Sequence, residues 1–205
     1  MKKQSIVIDR EYGSGGREVA RILSEKLGIE FYDGNLLTLA GKEYGIDLGV
    51  LQEYDERGVG SILHDLTMVH STPYGTSINE LPFQVYTATS RLVQTLVAKG
   101  PCIFLGRCTA QILSTEARAP FVHAFIYASR MEDRVERVRK LDGVDSNRIE
   151  AYIKRRDSQR RNYNRFFTDK TWGDYKNYDL MLNTSALGYE GAAKAILALM
   201  EDGEA

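Results

Sequence analysis

Cysteine is scarce: Cys102 and Cys108 are the only two in 205 residues. Two cysteines exclude a disulfide framework and a four-cysteine metal site, and a reducing cytoplasm is the expected compartment. Histidine is almost as rare. His64, His70 and His123 have no partners at a spacing that marks a nucleophilic triad or a metal-ligand set, and His123, inside an apolar run, reads as a core residue. No apolar stretch approaches about 20 residues, so no membrane span is expected. The first residues run straight into a strand pattern, so no signal peptide is expected either. Charge of neither sign dominates: 27 Lys and Arg stand against 28 Asp and Glu, a net −1. That balance gives no reason to expect nucleic acid or a membrane as partner. Internal repeats and low-complexity tracts are absent. With 43% hydrophobic and 27% charged residues, the composition is that of one ordinary globular domain with a sizeable core.

What is present begins at residues 4–20, QSIVIDREYGSGGREVA. An apolar run at residues 5–8 leads into Gly13, Ser14, Gly15 and Gly16. A helical pattern follows, with Val19, Ala20, Ile22, Leu23 and Leu27 on one face. Strand, glycine loop and helix form a phosphate-binding arrangement, because glycines let backbone N–H groups converge on an anion at a helix N-terminus. The common form of that motif ends in a lysine and a hydroxyl residue. Neither is here. Arg17 lies one place beyond the lysine position and carries a fixed charge suited to phosphate. The plainer reading of the loop is a ligand-free turn.

Along the rest of the chain, short apolar runs alternate with helical patterns. Strands are expected at 29–32, 102–105, 121–127 and 180–182. Helices are expected at 34–44, with Asp33 as cap, at 83–98, up to about 113, at 131–141 and at 145–166, and 191–200 lies in a closing helix. Residues 45–82 are irregular, with short helices plausible near 48–55 and 61–68. They read as a lid or substrate-side insertion, or as a helical hairpin over one sheet edge. Alternation of this kind predicts an open parallel sheet with right-handed crossovers. Ligands then bind beyond the carboxyl ends of the strands.

Three further groups lie at such ends. Residues 130–165 hold 12 basic and 7 acidic side chains. Two arginine-bearing helices joined near Asp142 and Gly143 suit a lid that closes over phosphates; a solvated, salt-bridged pair is the plainer account. Arg107, after Gly106, can hold a second anion through two parallel hydrogen bonds, or pair with a structural carboxylate. Asn183 and Thr184 follow the last strand and suit a base pocket or a helix-capping turn.

Taken in order, these residues resemble the cytidylate kinase-like family: the stretch from Ser5 to Glu18, Phe31-Tyr32-Asp33, Phe104-Leu105-Gly106-Arg107-Cys108, the arginine helices, Trp172-Gly173, and Tyr178 to Thr184. The resemblance runs from about residue 4 to residue 200. It implies a single α/β domain of the P-loop NTPase type, three-layered, with a five-stranded parallel sheet. A helical acceptor lobe (34–82) and an arginine-bearing lid with its flanking helices (130–165) belong to that fold. It implies phosphoryl transfer from ATP, with Mg2+, to a small phosphorylated acceptor such as CMP or dCMP. By that analogy Gly13, Ser14, Gly15, Gly16, Arg17 and Glu18 hold the donor phosphates, and Arg17, Arg130, Arg134 and Arg137 stabilise the transferred group. Asp33, Arg107, Arg156 and Asp157 face the acceptor, and Asn183 and Thr184 line a base pocket. Glu18 or Asp33 helps place the metal through water; no metal-ligand cluster is expected. True cytidylate kinases differ at five places: lysine stands at Gly16, a hydroxyl at Glu18, aspartate at Cys108, and cytosine-reading residues where Arg160 and Tyr163 are. A nucleotide- or phosphate-binding regulator without transfer activity is the alternative reading.

Overall fold

The computed structural model describes residues 4–46, 81–117, 119–142 and 146–202. The short helices expected near 48–55 and 61–68, and the joint at Gly143, lie outside the described residues. Strand β1 (Ser5–Arg10) leads to α1 (Gly16–Leu27), then β2 (Phe31–Tyr32), α2 (Asn35–Tyr44) and α3 (Leu81–Lys99). Next come β3 (Ile103–Leu105), α4 (Thr109–Ile112) running into a wide turn at Leu113–Ala117, and β4 (Phe121–Tyr127). The chain continues with α5 (Met131–Asp142), α6 (Ile149–Phe167), β5 (Leu180–Asn183) and α7 (Thr184–Asp202).

All five strands are parallel, in the order β2-β3-β1-β4-β5. Three layers follow from strand alternation. Ile6, Ile8, Ile103, Leu105, Val122, Ala124 and Ile126 point to one face, where α1 and α7 cover them. Val7 and Phe104 point to the other, under α2, α3 and α4. Central parallel strands buried on both faces must be apolar almost throughout, which is why they read as continuous runs. Apart from His123 in β4, polar residues gather where the strands end.

β1 is longer than the expected 5–8. Asp9 and Arg10 stay in the ladder opposite Phe125 and Ile126 of β4, so the glycine loop starts from a rigid edge. β2 is shorter than expected, and α7 begins at Thr184 and contains 191–200. Gly188 (φ 66°, ψ 177°) kinks α7 near its start.

Helices α5 and α6 pack on each other through Val138, Ile149 and Ile153, with Tyr12 and Tyr152 against them. The Tyr12 and Tyr152 rings meet edge to face at 5.5 Å. The pair therefore sits directly on the loop that follows β1.

Candidate active site

The loop is held from three sides. Above β4, the Glu11 amide donates to the Ile126 carbonyl (3.0 Å), and Ser14 Oγ lies 3.0 Å from the same oxygen. From α6, Asp157 Oδ1 accepts the Tyr12 amide at 2.7 Å. From α5, Arg134 Nε donates to the Tyr12 carbonyl at 2.8 Å and its terminal nitrogens pair with Asp157 and Glu11. Burial raises the Glu11 pKa above the usual carboxylate value, and Arg134 opposes that shift.

Close packing explains two of the loop glycines. Gly13 has φ +79°, and a Cβ there would meet the Arg134 carbonyl at 3.0 Å and Val138 at 3.1 Å. Gly15 has φ +85°, and a Cβ there would run into the Tyr189 ring. Only glycine suits both the left-handed backbone and the contact. From the α7 side, Thr184 Oγ1 lies 2.7 Å from the Ser14 carbonyl and 3.0 Å from the Tyr127 carbonyl. Its hydroxyl ties α7 to the loop. The first N–H groups of α1 have no intrahelical acceptor and face the same end of the sheet.

Beside this loop lies an open cavity of about 490 Å³, lined by Gly13, Ser14, Glu18, Arg137, Thr184 and Tyr189 among others. Its three cations are each paired with a carboxylate: Arg130 with Asp133 (3.0 Å), Lys140 with Glu136 (2.7 Å), and Arg137 with Glu18. Arg130 also donates to the Ser185 carbonyl at 3.0 Å. Hydrogen bonding from Ser185 first, then from Arg130, holds the Asp133 carboxyl below its ordinary range.

A second group of cations lies on the other side of the loop. The Arg10 side chain passes across Gly16, where an added Cβ would be 2.7 Å from it, and ends against Gly106. Arg160 Nη1 donates to the Arg10 carbonyl at 2.8 Å. Arg156 and Arg160 lie 5.3 and 5.0 Å from the Tyr12 ring centroid. Burial, and then the Arg10 guanidinium, push the Arg160 pKa well down, while Asp157 pulls it up. The turn after β3 aims the next arginine: Gly106, Arg107 and Cys108 are successively left-handed, at φ 69°, 60° and 55°. Arg107 then lies 5.8 Å from the Tyr163 ring. Two non-glycine residues in that conformation store strain of the kind found at functional turns.

Several expected site residues stand in places the sequence did not suggest. Arg134 is only 5% exposed, locked beneath the loop rather than on the open side of a lid. Asp157 is buried with it and holds the loop backbone at the Tyr12 amide. Thr184 is buried against the loop. Asn183 stitches strand ends together, its Oδ1 accepting from the Ser129 and Ser185 amides at 3.1 Å each. Arg17 is exposed and pairs with Asp33 at 2.9 Å, joining the start of α1 to the end of β2. Asp33 also caps α2, its Oδ1 lying 3.3 Å from the Asn35 amide. Tyr189 is the residue that sequence reasoning passed over, and Arg10 and Arg160 were given no ligand role. Arg160, one turn beyond Arg156 on the same face, was the available signal. His123 is a buried core residue as expected, with Nε2 3.1 Å from Asp9 Oδ2.

A family model described as the cytidylate kinase-like family matches residues 5–186. The chain belongs to the cytidylate kinase-like family. No curated protein matches it. Among solved structures it is similar to an uncharacterized protein from Eubacterium ventriosum, 22% identical over 97% of this chain and 99% of that one, with a TM-score of 0.71. It is also similar to shikimate kinase from Bacteroides thetaiotaomicron (15% identical, 98% and 99% covered, TM-score 0.54). A gluconokinase from Sinorhizobium meliloti is 14% identical, over 98% and 94%, with a TM-score of 0.51. These likenesses place the cytidylate kinase-like chain in the P-loop kinase fold, and family membership makes it a kinase-type phosphotransferase. Among the described residues no helix is long and apolar enough to cross a membrane.

Proposed function

We propose that this chain transfers the terminal phosphoryl group of ATP to a small phosphorylated acceptor, CMP, dCMP or a related nucleotide. One observation supports the reading: two groups of cationic and N–H donor groups flank the same loop at one end of the sheet. On one side are the first amides of α1 and the cavity with Arg130, Arg137 and Lys140. On the other are Arg10, Arg107, Arg156 and Arg160. Guanidinium groups gathered around one loop suit a multiply charged ligand.

In this reading the donor phosphates lie on Gly13, Ser14, Gly15, Gly16 and Arg17, and the Tyr189 ring forms a wall for the donor base. The acceptor phosphate lies against Arg107, Arg156 and Arg160. Arg134 and Asp157 act as positioning residues that fix the loop backbone. Asp33 holds Arg17 near the loop. Asn183 and Thr184 shape the donor side through the backbone they hold. Phosphoryl transfer is chiefly positioning and charge stabilisation, and each preorganised donor is worth roughly 3–4 kcal/mol. Arg137 and Arg17 are the side chains that replace the missing loop lysine.

Mg2+ fits the residues present. Among the described residues no three His, Cys, Asp or Glu side chains form a cluster, but Mg2+ in such sites needs only one or two protein oxygens, with phosphates and waters completing its shell. Glu18 lines the cavity and has a buried Oε2 with no hydrogen-bond partner among the described residues. When bound, the cation neutralises charge on the donor phosphates.

The test is ADP formation with CMP, dCMP, UMP and AMP, each against a no-acceptor blank. Acceptor-dependent turnover is expected with at least one. A second reading, a nucleotide-binding regulator without transfer, draws on the self-paired cations of the cavity. Calorimetric ATP binding with every acceptor at blank level would favour it.

A further inference from the structure

Of the three ion pairs that line the cavity, one is incomplete. Lys140–Glu136 and Arg130–Asp133 sit at an exposed rim, with side chains 38–70% accessible. Glu18 and Arg137 lie deeper, at 26% and 17%. Arg137 Nη2 engages Glu18 Oε1. The other oxygen, Oε2, is buried and has no hydrogen-bond partner among the described residues. A carboxylate oxygen withdrawn from water without a donor is costly to keep. Glu18 is the third residue of α1, within one turn of the loop glycines, and shares the cavity wall with Gly13 and Ser14.

We propose that Glu18 is the protein's own ligand for the divalent cation that accompanies the donor nucleotide, and that Arg137 is its exchange partner. Nucleotide binding moves Arg137 from the carboxylate to a phosphate oxygen and leaves the carboxylate to the cation. The proposal rests on the reading that the loop holds donor phosphates. Charge stays matched in both states. Without ligand, Glu18 and Arg137 neutralise each other. With ligand, a guanidinium faces phosphate, which its planar fork suits, and a carboxylate faces a hard cation, which oxygen ligands suit. A neutral hydroxyl at this position has no charge with which to make that exchange. One protein carboxylate binds such a cation weakly alone, so metal binding depends on the nucleotide.

Calorimetry with a β,γ-imido ATP analogue, in EDTA and in Mn2+, tests this in the wild type, Glu18→Gln and Arg137→Gln. The ratio of the two affinities is the metal enhancement. Glu18→Gln is expected to reduce that ratio about tenfold or more, with metal-free affinity unchanged or higher because Arg137 is released. Arg137→Gln is expected to weaken binding in both conditions and keep the ratio. Glu18→Asp, which retains a carboxylate, is expected to keep part of what Glu18→Gln loses, and thermal melts of each variant report folding. Equal ratios in the wild type, Glu18→Gln and Glu18→Asp overturn the assignment while leaving the loop as a phosphate site. Failure of the wild type to bind the analogue in either condition overturns both.

Discussion

Arg160 is a cation placed where its surroundings disfavour charge. Burial and Arg10 both lower its pKa, yet a guanidinium stays protonated in a protein. Such a residue weakens the empty site and strengthens the filled one. Arg160→Gln is therefore expected to raise the acceptor KM by about tenfold or more, as for loss of a charge-assisted bond. Its unfolding free energy should fall by no more than about 1 kcal/mol. Steady-state kinetics and urea unfolding check the two halves separately. The Arg134–Asp157 pair has the opposite character. Both side chains are buried, at 6% and 11% accessibility, and both hold the loop backbone. Asp157→Ala leaves Arg134 short of its main partner and the Tyr12 amide without an acceptor. A loss of about 3–5 kcal/mol in urea unfolding is expected.

At the scale of elements, the approach of α5 to the loop depends on a missing side chain. Gly13→Ala would put a methyl group against the Arg134 carbonyl and Val138 in a left-handed backbone that costs about 1–2 kcal/mol for other residues. Its stability should drop by at least that amount and its ATP affinity should weaken; denaturation and calorimetry measure both. The strands and the glycine loop were legible because their signals are local: apolar runs for strands buried on both faces, and consecutive glycines at a strand-to-helix turn. The boundaries that shifted did so for tertiary reasons. Asp9 and Arg10 extend β1 because β4 pairs with them. The site was legible as residue types and less so as partnerships. Glu18 meets Arg137, Tyr12 meets Asp157, and Tyr189 covers Gly15 across long sequence separations that no periodicity records. Of the arginines expected at the start of a lid, Arg130 and Arg137 border the cavity, while Arg134 is enclosed.

Across the whole molecule, both cysteines and Tyr178 are held in their neutral forms. Burial pushes the Cys102 thiol up to about 11 and Cys108 higher still, and burial followed by Asp9 raises Tyr178. Groups whose folded pKa is raised contribute stability that is full below their unfolded values, 9.0 for the thiols and 10.0 for the phenol. That contribution is lost as pH rises through the folded values. Stability from these groups should thus be level from pH 7 to about 8.5 and decline above pH 9, which urea titrations across that range report. At this scale the proposed function makes the carboxyl end of the parallel sheet a pair of anion sites on either side of one loop, with the phosphoryl group passing between them. A bisubstrate analogue joining adenosine and cytidine through five phosphates spans both. Calorimetry should find it bound about a hundredfold or more tighter than ATP, because the second site is then engaged at high effective concentration. Affinity no greater than that of ATP would contradict the two-site account.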